Sequence, residues 1–215
     1  ESRGLEFCRF ADDCNIFVTT PKAAERVMSS ISKFIEKRLK LKVNVQKSQV
    51  ARSEKVKFLG MTIVDGNRAI SAKSVARAMA KVKELTPRGT HLKLEQAIED
   101  INRWYRGWSS YYSMTQYPAQ LVTIEAHIRR RLRSRLIDQQ KSRNNLYNKL
   151  TKRGVPEWLA ATTVFTHKKR WALSRTRAVN IAFPNRWFIK EMGQFIRLSA
   201  KLDHWFELKT WIRVV

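Results

Sequence analysis

Two adjacent carboxylates, Asp12 and Asp13, stand between two arms that are suited to β-strands. The arms, residues 5–11 and 14–19, are rich in the aromatic and β-branched residues of half-buried strands. A two-residue link at Asp12-Asp13 would close an antiparallel hairpin, because Asp tolerates the positive φ that such turns need. Both carboxylates would then lie at the hairpin tip, where their repulsion favours a bound cation such as Mg²⁺. Asp-Asp is also a common turn with no further role, and the residues alone leave both interpretations open.

The charge of the chain restricts its partners. Among 215 residues, 43 are Lys or Arg and 18 are Asp or Glu, which gives a formal net charge of +25. An excess of this size favours a polyanionic partner, above all nucleic acid. A membrane surface is the competing polyanion, but we expect no membrane association because no run of 18 apolar residues exists. There is no signal peptide, so we expect a cytoplasmic location.

The cysteines and histidines predict neither a disulfide nor a zinc site. The Asp12-Asp13 link would pair Ala11 with Cys14 and Cys8 with Phe17. Alternation along the strands then places the two sulfurs on opposite faces of the hairpin, which suits a reducing compartment. Four histidines are scattered without the spacing of metal ligands, at His91, His127, His167 and His204.

Three motifs, in order, carry a resemblance to a known family. Phe10-Ala11-Asp12-Asp13, with apolar strands on both sides, resembles the Y-A-D-D catalytic hairpin of reverse transcriptases, with Phe in place of Tyr. A second segment resembles the thumb, or domain X, of group II intron maturases through Asn102, Gly107, Trp108, Tyr111 and Tyr112. A third resembles the maturase-specific region of the same proteins, through Asn180, Ala182, Pro184, Asn185, Trp187, Phe188 and Gly193. The chain as a whole therefore resembles the C-terminal part of a group II intron reverse transcriptase/maturase.

The resemblance implies an α+β fold, in which a small antiparallel β remnant of the palm precedes a mainly α-helical thumb and maturase region. We predict the end of the palm at 1–70, the helical thumb at 71–140 and a basic maturase-specific, nucleic-acid-binding region at 141–215. Glu1 lies only a few residues before the hairpin, so we expect this sequence to be a fragment without the upstream palm and fingers.

The family's activity is RNA-directed DNA polymerisation, in which a primer 3′-hydroxyl attacks the α-phosphate of a deoxynucleoside triphosphate between two Mg²⁺ ions. By resemblance, Asp12 is a direct Mg²⁺ ligand and Asp13 assists it. Lys47 would face the incoming nucleotide and neutralise charge on the pyrophosphate, which makes it a candidate proton donor to that group; a solvated surface lysine is the alternative. Phe58-Leu59-Gly60 resembles the primer grip, where Gly60 would let the backbone approach the primer or kink the strand.

The family's third carboxylate comes from an earlier palm strand that this sequence does not contain. We therefore expect the parent protein to be the polymerase and this chain alone to be inactive. The family also binds intron RNA to assist splicing and mobility, so the implied partners are group II intron RNA, a DNA primer or target, and deoxynucleoside triphosphates. The alternative function is that of a non-catalytic RNA-binding splicing factor.

The best candidate for RNA contact is a row of five arginines on a helix that Pro118 opens. Residues at helical spacing predict the buried face of this helix: Leu121, Ile124, Ile128, Leu132 and Leu136. We expect five guanidiniums to form an exposed face that contacts successive phosphates: Arg129, Arg130, Arg131, Arg133 and Arg135. We also expect the fold to survive their replacement. A merely solvated charged face is the alternative. A second basic cluster interleaves cations with Trp171, at Lys168, Lys169, Arg170, Arg175 and Arg177.

Local patterns predict several other elements. Thr20-Pro21 begins a helix that runs to about Leu39, and alternation predicts a strand over 41–45. Asp65-Gly66 is a turn. A helix over 93–108 presents Leu94, Ile98, Ile101, Tyr105 and Trp108 on one face. Gly154 ends a further helix, and Phe195, Leu198, Leu202, Trp205 and Phe206 predict a closing helix.

Overall fold

The computed structural model describes residues 4–52, 55–87 and 92–190. The chain divides into two compact units, Glu1–Ser71 and Ala72–Val215. Among the described residues, small antiparallel sheets lie in the first unit and helices predominate in the second, which confirms the predicted α+β class. The finer division at residue 140 stays a prediction.

The first unit contains two sheets and one long helix. Strands β1 (Glu6–Phe10) and β2 (Asp13–Phe17) form an antiparallel hairpin, which helix α1 (Pro21–Lys37) follows. The Thr20 side chain caps α1 by accepting a hydrogen bond from Ala23 N at 3.2 Å, as the Thr-Pro pair predicts. Lys40, with φ of 55°, lies just beyond the end of the helix.

The second sheet consists of β3 (Lys57–Phe58), β4 (Met61–Val64) and β5 (Asn67–Ile70), in that order. Both of its hairpins are two-residue turns with positive φ at each position. The values are 51° and 77° at Leu59-Gly60, and 47° and 74° at Asp65-Gly66. These signs are those of a type I′ turn, whose twist matches the flanking strands, so the turn predicted at Asp65-Gly66 is confirmed.

The strand predicted over 41–45 is wrong. This segment has no strand partner among the described residues and turns at 45–47 instead. The side-chain Oδ1 atom of Asn44 accepts a hydrogen bond from Lys47 N at 3.2 Å, and the backbone carbonyl of Asn44 accepts one from Ser48 N at 3.0 Å. Asn offers the backbone this local alternative to a sheet ladder, and alternation alone does not reveal it.

The second unit begins with three long helices. They are α2 (Ala72–Leu85), α3 (Leu94–Tyr111) and α4 (Pro118–Asp138), with a 3₁₀ turn at Tyr112–Met114 before α4. The α4 face predicted from the sequence is buried throughout. The predicted α3 face is buried from Leu94 to Tyr105, whereas Trp108 is half-buried.

Five shorter helices follow in the described part of the second unit: α5 (Arg143–Lys152), α6 (Glu157–Val164), α7 (Arg170–Leu173), α8 (Arg177–Ala182) and α9 (Asn185–Lys190). Gly154, with φ of 81°, follows the C-cap of α5 as predicted. One continuous hydrophobic core joins side chains from α2 through α9. The closing helix predicted around Phe195 to Phe206 lies outside the described residues, as do His91, Gly193 and His204.

Candidate catalytic hairpin and nucleic-acid interface

The carboxylate hairpin is shifted by one residue from the prediction. Phe10 pairs with Asp13, so the turn is Ala11-Asp12 and not Asp12-Asp13. The predicted pairs of Ala11 with Cys14 and of Cys8 with Phe17 are therefore wrong; Arg9 pairs with Cys14, and Cys8 with Asn15. Ala11 accepts the left-handed φ, at 51°, and the Nε atom of Arg9 donates a hydrogen bond to its carbonyl oxygen at 2.9 Å.

The slip does not change which faces the cysteines occupy. Residues that pair across the hairpin point to the same side, so Cys8 shares its face with Asn15 and Cys14 shares the other face with Arg9. Both thiols are free.

Asp12 lies in the turn and Asp13 begins β2, and both are exposed. Carboxylate oxygens are the donors that Mg²⁺ prefers, and exposure leaves room for the waters that this ion retains, so the donor set fits the ion. No group of three or more His, Cys, Asp or Glu residues within 4–52, 55–87 and 92–190 could hold a metal. The roles of Asp12 and Asp13 stay predictions.

The other residues assigned to polymerase chemistry lie in or beside turns of the first unit. Lys47 is exposed in the turn that Asn44 holds. Phe58 ends β3, and Leu59-Gly60 forms the next hairpin turn, where Gly60 O accepts a hydrogen bond from Ser71 N at 2.9 Å. Gly60 therefore allows a tight turn with positive φ, whereas a primer contact at this triplet stays a prediction.

The predicted face of five exposed arginines on α4 does not form. Successive helical residues turn by about 100°, so these arginines point in several directions, and α4 packs against both α2 and α7. Arg133 and Arg135 are buried, with 6% and 9% of their surface exposed, and the other three are half-buried. The row is largely part of the protein's own packing.

The hydrogen bonds of Arg133 and Arg131 show how the helix uses these side chains. Arg133 donates from Nε to Phe183 O and from a terminal nitrogen to Asn185 Oδ1, both at 2.8 Å. Arg131 donates to Thr86 Oγ1 at 2.9 Å and to Thr86 O at 2.6 Å. Arg135 donates to Leu92 O. These guanidiniums tie α4 to the end of α2, to the start of α3 and to the α8–α9 connection.

Arg130 and His127 pack around Trp171. The Arg130 guanidinium lies 3.7 Å from the ring centroid and donates to Trp171 O at 3.1 Å. His127 meets the same ring edge to face, with centroids 5.9 Å apart. Burial lowers the pKa of His127, and the nearby charges of Arg131 and Arg130 lower it further.

Sequence patterns did not identify a buried polar contact between α3 and α4. Tyr105 OH donates to Glu125 Oε1 at 3.3 Å, and Arg129 pairs with Glu125 Oε2 at 3.3 Å. Burial raises the pKa of Glu125, while Arg129 acts in the opposite direction. The i,i+4 spacing of Glu125 and Arg129 was the available signal, but such pairs are usually exposed.

Arg153 is a further structural arginine, outside α4, and the sequence did not reveal its role. Its guanidinium lies 4.7 Å from the Phe183 ring centroid and 4.8 Å from that of Trp187. Its Nε also donates to Ala182 O at 2.7 Å. A planar cation of this kind stacks on aromatic faces and donates hydrogen bonds at the same time, which fixes the α8–α9 corner.

The second basic cluster is the more open one. Its exposed members are Lys168, Lys169, Arg175 and Arg177, which we call the basic quartet. Arg170, predicted with them, is only half-exposed and forms an ion pair with Asp138. The quartet flanks α7 in the sequence, with two members before this helix and two after it.

Comparison with known families agrees with this geometry. Residues 1–63 match the family model described as reverse transcriptase (RNA-dependent DNA polymerase), so the first unit is of the reverse transcriptase class. Residues 75–154 match the maturase-specific domain of group II introns. The chain therefore belongs to the group II intron reverse transcriptase/maturases and carries the C-terminal part of that arrangement. A comparison with curated proteins gives no significant match. Every helix in the described residues is too short or too polar to cross a bilayer.

Proposed function

We propose that the Ala11-Asp12 hairpin supplies two carboxylates of a reverse transcriptase active site and that the basic quartet binds intron RNA. The observation that supports the first part is the pair of exposed carboxylates at the tip of the strand pair that matches the reverse transcriptase model. Mg²⁺, when bound at Asp12 and Asp13, would stabilise charge on the reacting phosphates. Arg9 positions the turn through its hydrogen bond to Ala11 O.

The chain alone does not extend a primer in this proposal. The described residues bring no third carboxylate to Asp12 and Asp13, and two exposed ligands hold an ion weakly. Mg²⁺ binding should therefore need the phosphates of a nucleotide. This observation also favours the alternative for the isolated chain, that of an RNA-binding splicing factor without polymerase activity.

Weak, specific ion binding at the hairpin can be measured with Mn²⁺, a paramagnetic substitute for Mg²⁺, in nuclear magnetic resonance spectra of the full chain. Titration should broaden the amide signals of residues 11–14, and Asp12→Asn should remove most of the effect. Asp65, alone in the turn of the β4–β5 hairpin, is the matched control and should broaden far less. Equal broadening at the two turns would show only a general attraction to carboxylates and would contradict the proposal.

Polymerase activity needs its own assay. With Mg²⁺, a primed RNA template and deoxynucleoside triphosphates, the 215-residue chain should incorporate nothing above background. Incorporation that Asp12→Ala abolishes would overturn the statement that the chain is inactive alone. It would also show that another acid completes the site.

A further inference from the structure

A cleft lies between α2 and α3 of the second unit, and two of its lining residues, Trp108 and Tyr112, belong to the motif that resembles the maturase thumb. Its volume is about 280 Å³. Seven residues line it: Ser74, Arg77, Ala78, Lys81, Trp104, Trp108 and Tyr112. All of them belong to the second unit, within the region that matches the maturase-specific domain or directly beside it.

One wall of the cleft is a ladder of three aromatic rings on α3 and the turn that follows it. Trp104, Trp108 and Tyr112 recur every four residues, with ring centroids 6.0 Å apart for the first pair and 4.6 Å for the second. All three are half-buried. The two tryptophans rest against the hydrophobic core and also line the open cleft. A wall of this kind offers flat, partly desolvated π-surfaces to a ligand.

The opposite wall is small, polar and cationic. Ala78 leaves space at the centre of α2, and Ser74 Oγ accepts a hydrogen bond from Tyr112 OH at 3.1 Å, which fixes the tyrosine ring. Lys81 is already engaged by Glu84, at 2.5 Å. Arg77 is exposed, and no acid in the described part of the chain forms an ion pair with it. The free charge at the cleft is therefore a guanidinium, which suits a phosphate.

The size and chemistry of the cleft restrict its ligand. Small-molecule pockets usually measure about 300–1,000 Å³, so this cleft accommodates one flat ring system and excludes a duplex. Aromatic stacking beside a guanidinium is how proteins hold unpaired bases, whose faces are free only outside a helix.

We propose that this cleft binds one unpaired nucleotide of an RNA strand, with its base against Trp104 and Trp108 and its phosphate at Arg77. The proposal deepens the RNA-binding function above and rests on it for the identity of the partner.

The test compares two probes, a single-stranded RNA ten-mer and a fully paired RNA duplex that contains the same sequence. Affinity of the full chain is measured by fluorescence anisotropy, and circular dichroism checks each variant. Arg77→Gln and Trp104→Leu should each weaken single-strand binding about 5- to 10-fold and change duplex binding less than about 2-fold. Arg103→Gln, at an exposed arginine of α3 outside the cleft, should change neither.

A second readout covers the case in which Trp104→Leu does not fold. The fluorescence of 2-aminopurine in the single-stranded probe should be quenched on binding, because the base stacks, and Arg77→Gln should reduce that quenching at equal probe concentration. An equal loss of affinity for the single strand and the duplex would show that Arg77 is only a general phosphate contact, and it would overturn the proposal. Unchanged affinity for both probes would also overturn it. If replacing the basic quartet leaves RNA binding intact while Arg77→Gln weakens it, the quartet fails as the interface and the cleft stands.

Discussion

Arg133 allows the sharpest test of how the α4 arginines are used. Replacing it with Ala removes two hydrogen bonds from a charged donor, to Phe183 O and Asn185 Oδ1. Such bonds contribute about 1.5–3 kcal/mol each, so the gross loss is about 3–6 kcal/mol. The variant also no longer buries a charge, and this offsets part of the loss. The cost of burying that charge shows in the pKa of Arg133, which burial lowers to about 10. We expect a net loss of about 2–4 kcal/mol in the free energy of unfolding, a large share of the roughly 5–15 kcal/mol typical of a domain.

The assay is urea unfolding followed by tryptophan fluorescence. All seven tryptophans lie beyond Ser71, so the signal reports only the second unit. Arg175→Ala, at an exposed arginine of the same unit, is the control and should stay within about 0.5 kcal/mol of the parent. A loss below about 1 kcal/mol for Arg133→Ala, or one equal to that of the control, would refute the structural role of Arg133. It would also support the expectation that the α4 arginines can be replaced without loss of the fold.

Three further predictions address individual contacts. Burial beside cations lowers the pKa of His127 from 6.5, so as the pH drops the unfolded chain gains this proton before the folded chain does. The free energy of unfolding should therefore fall below about pH 6.5. Urea unfolding at several pH values should show a smaller fall for His127→Gln. Tyr105→Phe removes the donor to Glu125 and should cost about 1.5 kcal/mol in urea unfolding; no loss would mean that this hydrogen bond contributes nothing. Gly66→Ala forces a side chain into φ of +74° and should destabilise by about 1–2 kcal/mol. Gly107→Ala adds a side chain in open space near the C-terminal end of α3 and should stabilise by about 0.5–1 kcal/mol. Thermal melts that rank the two variants in the opposite order would contradict this.

Helices and their buried faces were predictable because the evidence for them is local. A period of 3.6 residues placed Leu121, Ile124 and Ile128 on one side of α4, and a Thr-Pro pair marked the start of α1. The Asp65-Gly66 turn was equally predictable, since few dipeptides accept positive φ at both positions.

The hairpin register was harder to predict, because two adjacent turns compete. Asp12-Asp13 has the better turn residues, yet the structure places the turn at Ala11-Asp12, where Arg9 bonds to Ala11 O. Turn statistics for the dipeptide do not include that side-chain contact.

The roles of the α4 arginines could not be predicted from a local window. Arg133 finds its partners 50 and 52 residues further along the chain, at Phe183 and Asn185. Whether a guanidinium faces solvent or a carbonyl depends on which helices surround it, and charge patterning does not contain that information. The basic quartet differs from the α4 arginines because no described acid or carbonyl contacts its charged groups, so these side chains stay exposed.

The salt dependence of RNA binding tests whether the basic quartet is the RNA interface. The full chain should bind a structured group II intron RNA, and the logarithm of the affinity should fall linearly with the logarithm of the salt concentration. Replacing the basic quartet with Gln should flatten that slope by up to about three units, since each phosphate contact contributes about 0.7–0.9. The control replaces four exposed cations of α1 with Gln: Lys22, Arg26, Lys33 and Lys37. It should leave most of the slope intact. A folded quartet variant with the parent's affinity and slope, or a parent chain that binds no structured RNA even at low salt, would contradict the assignment of the quartet as an RNA interface.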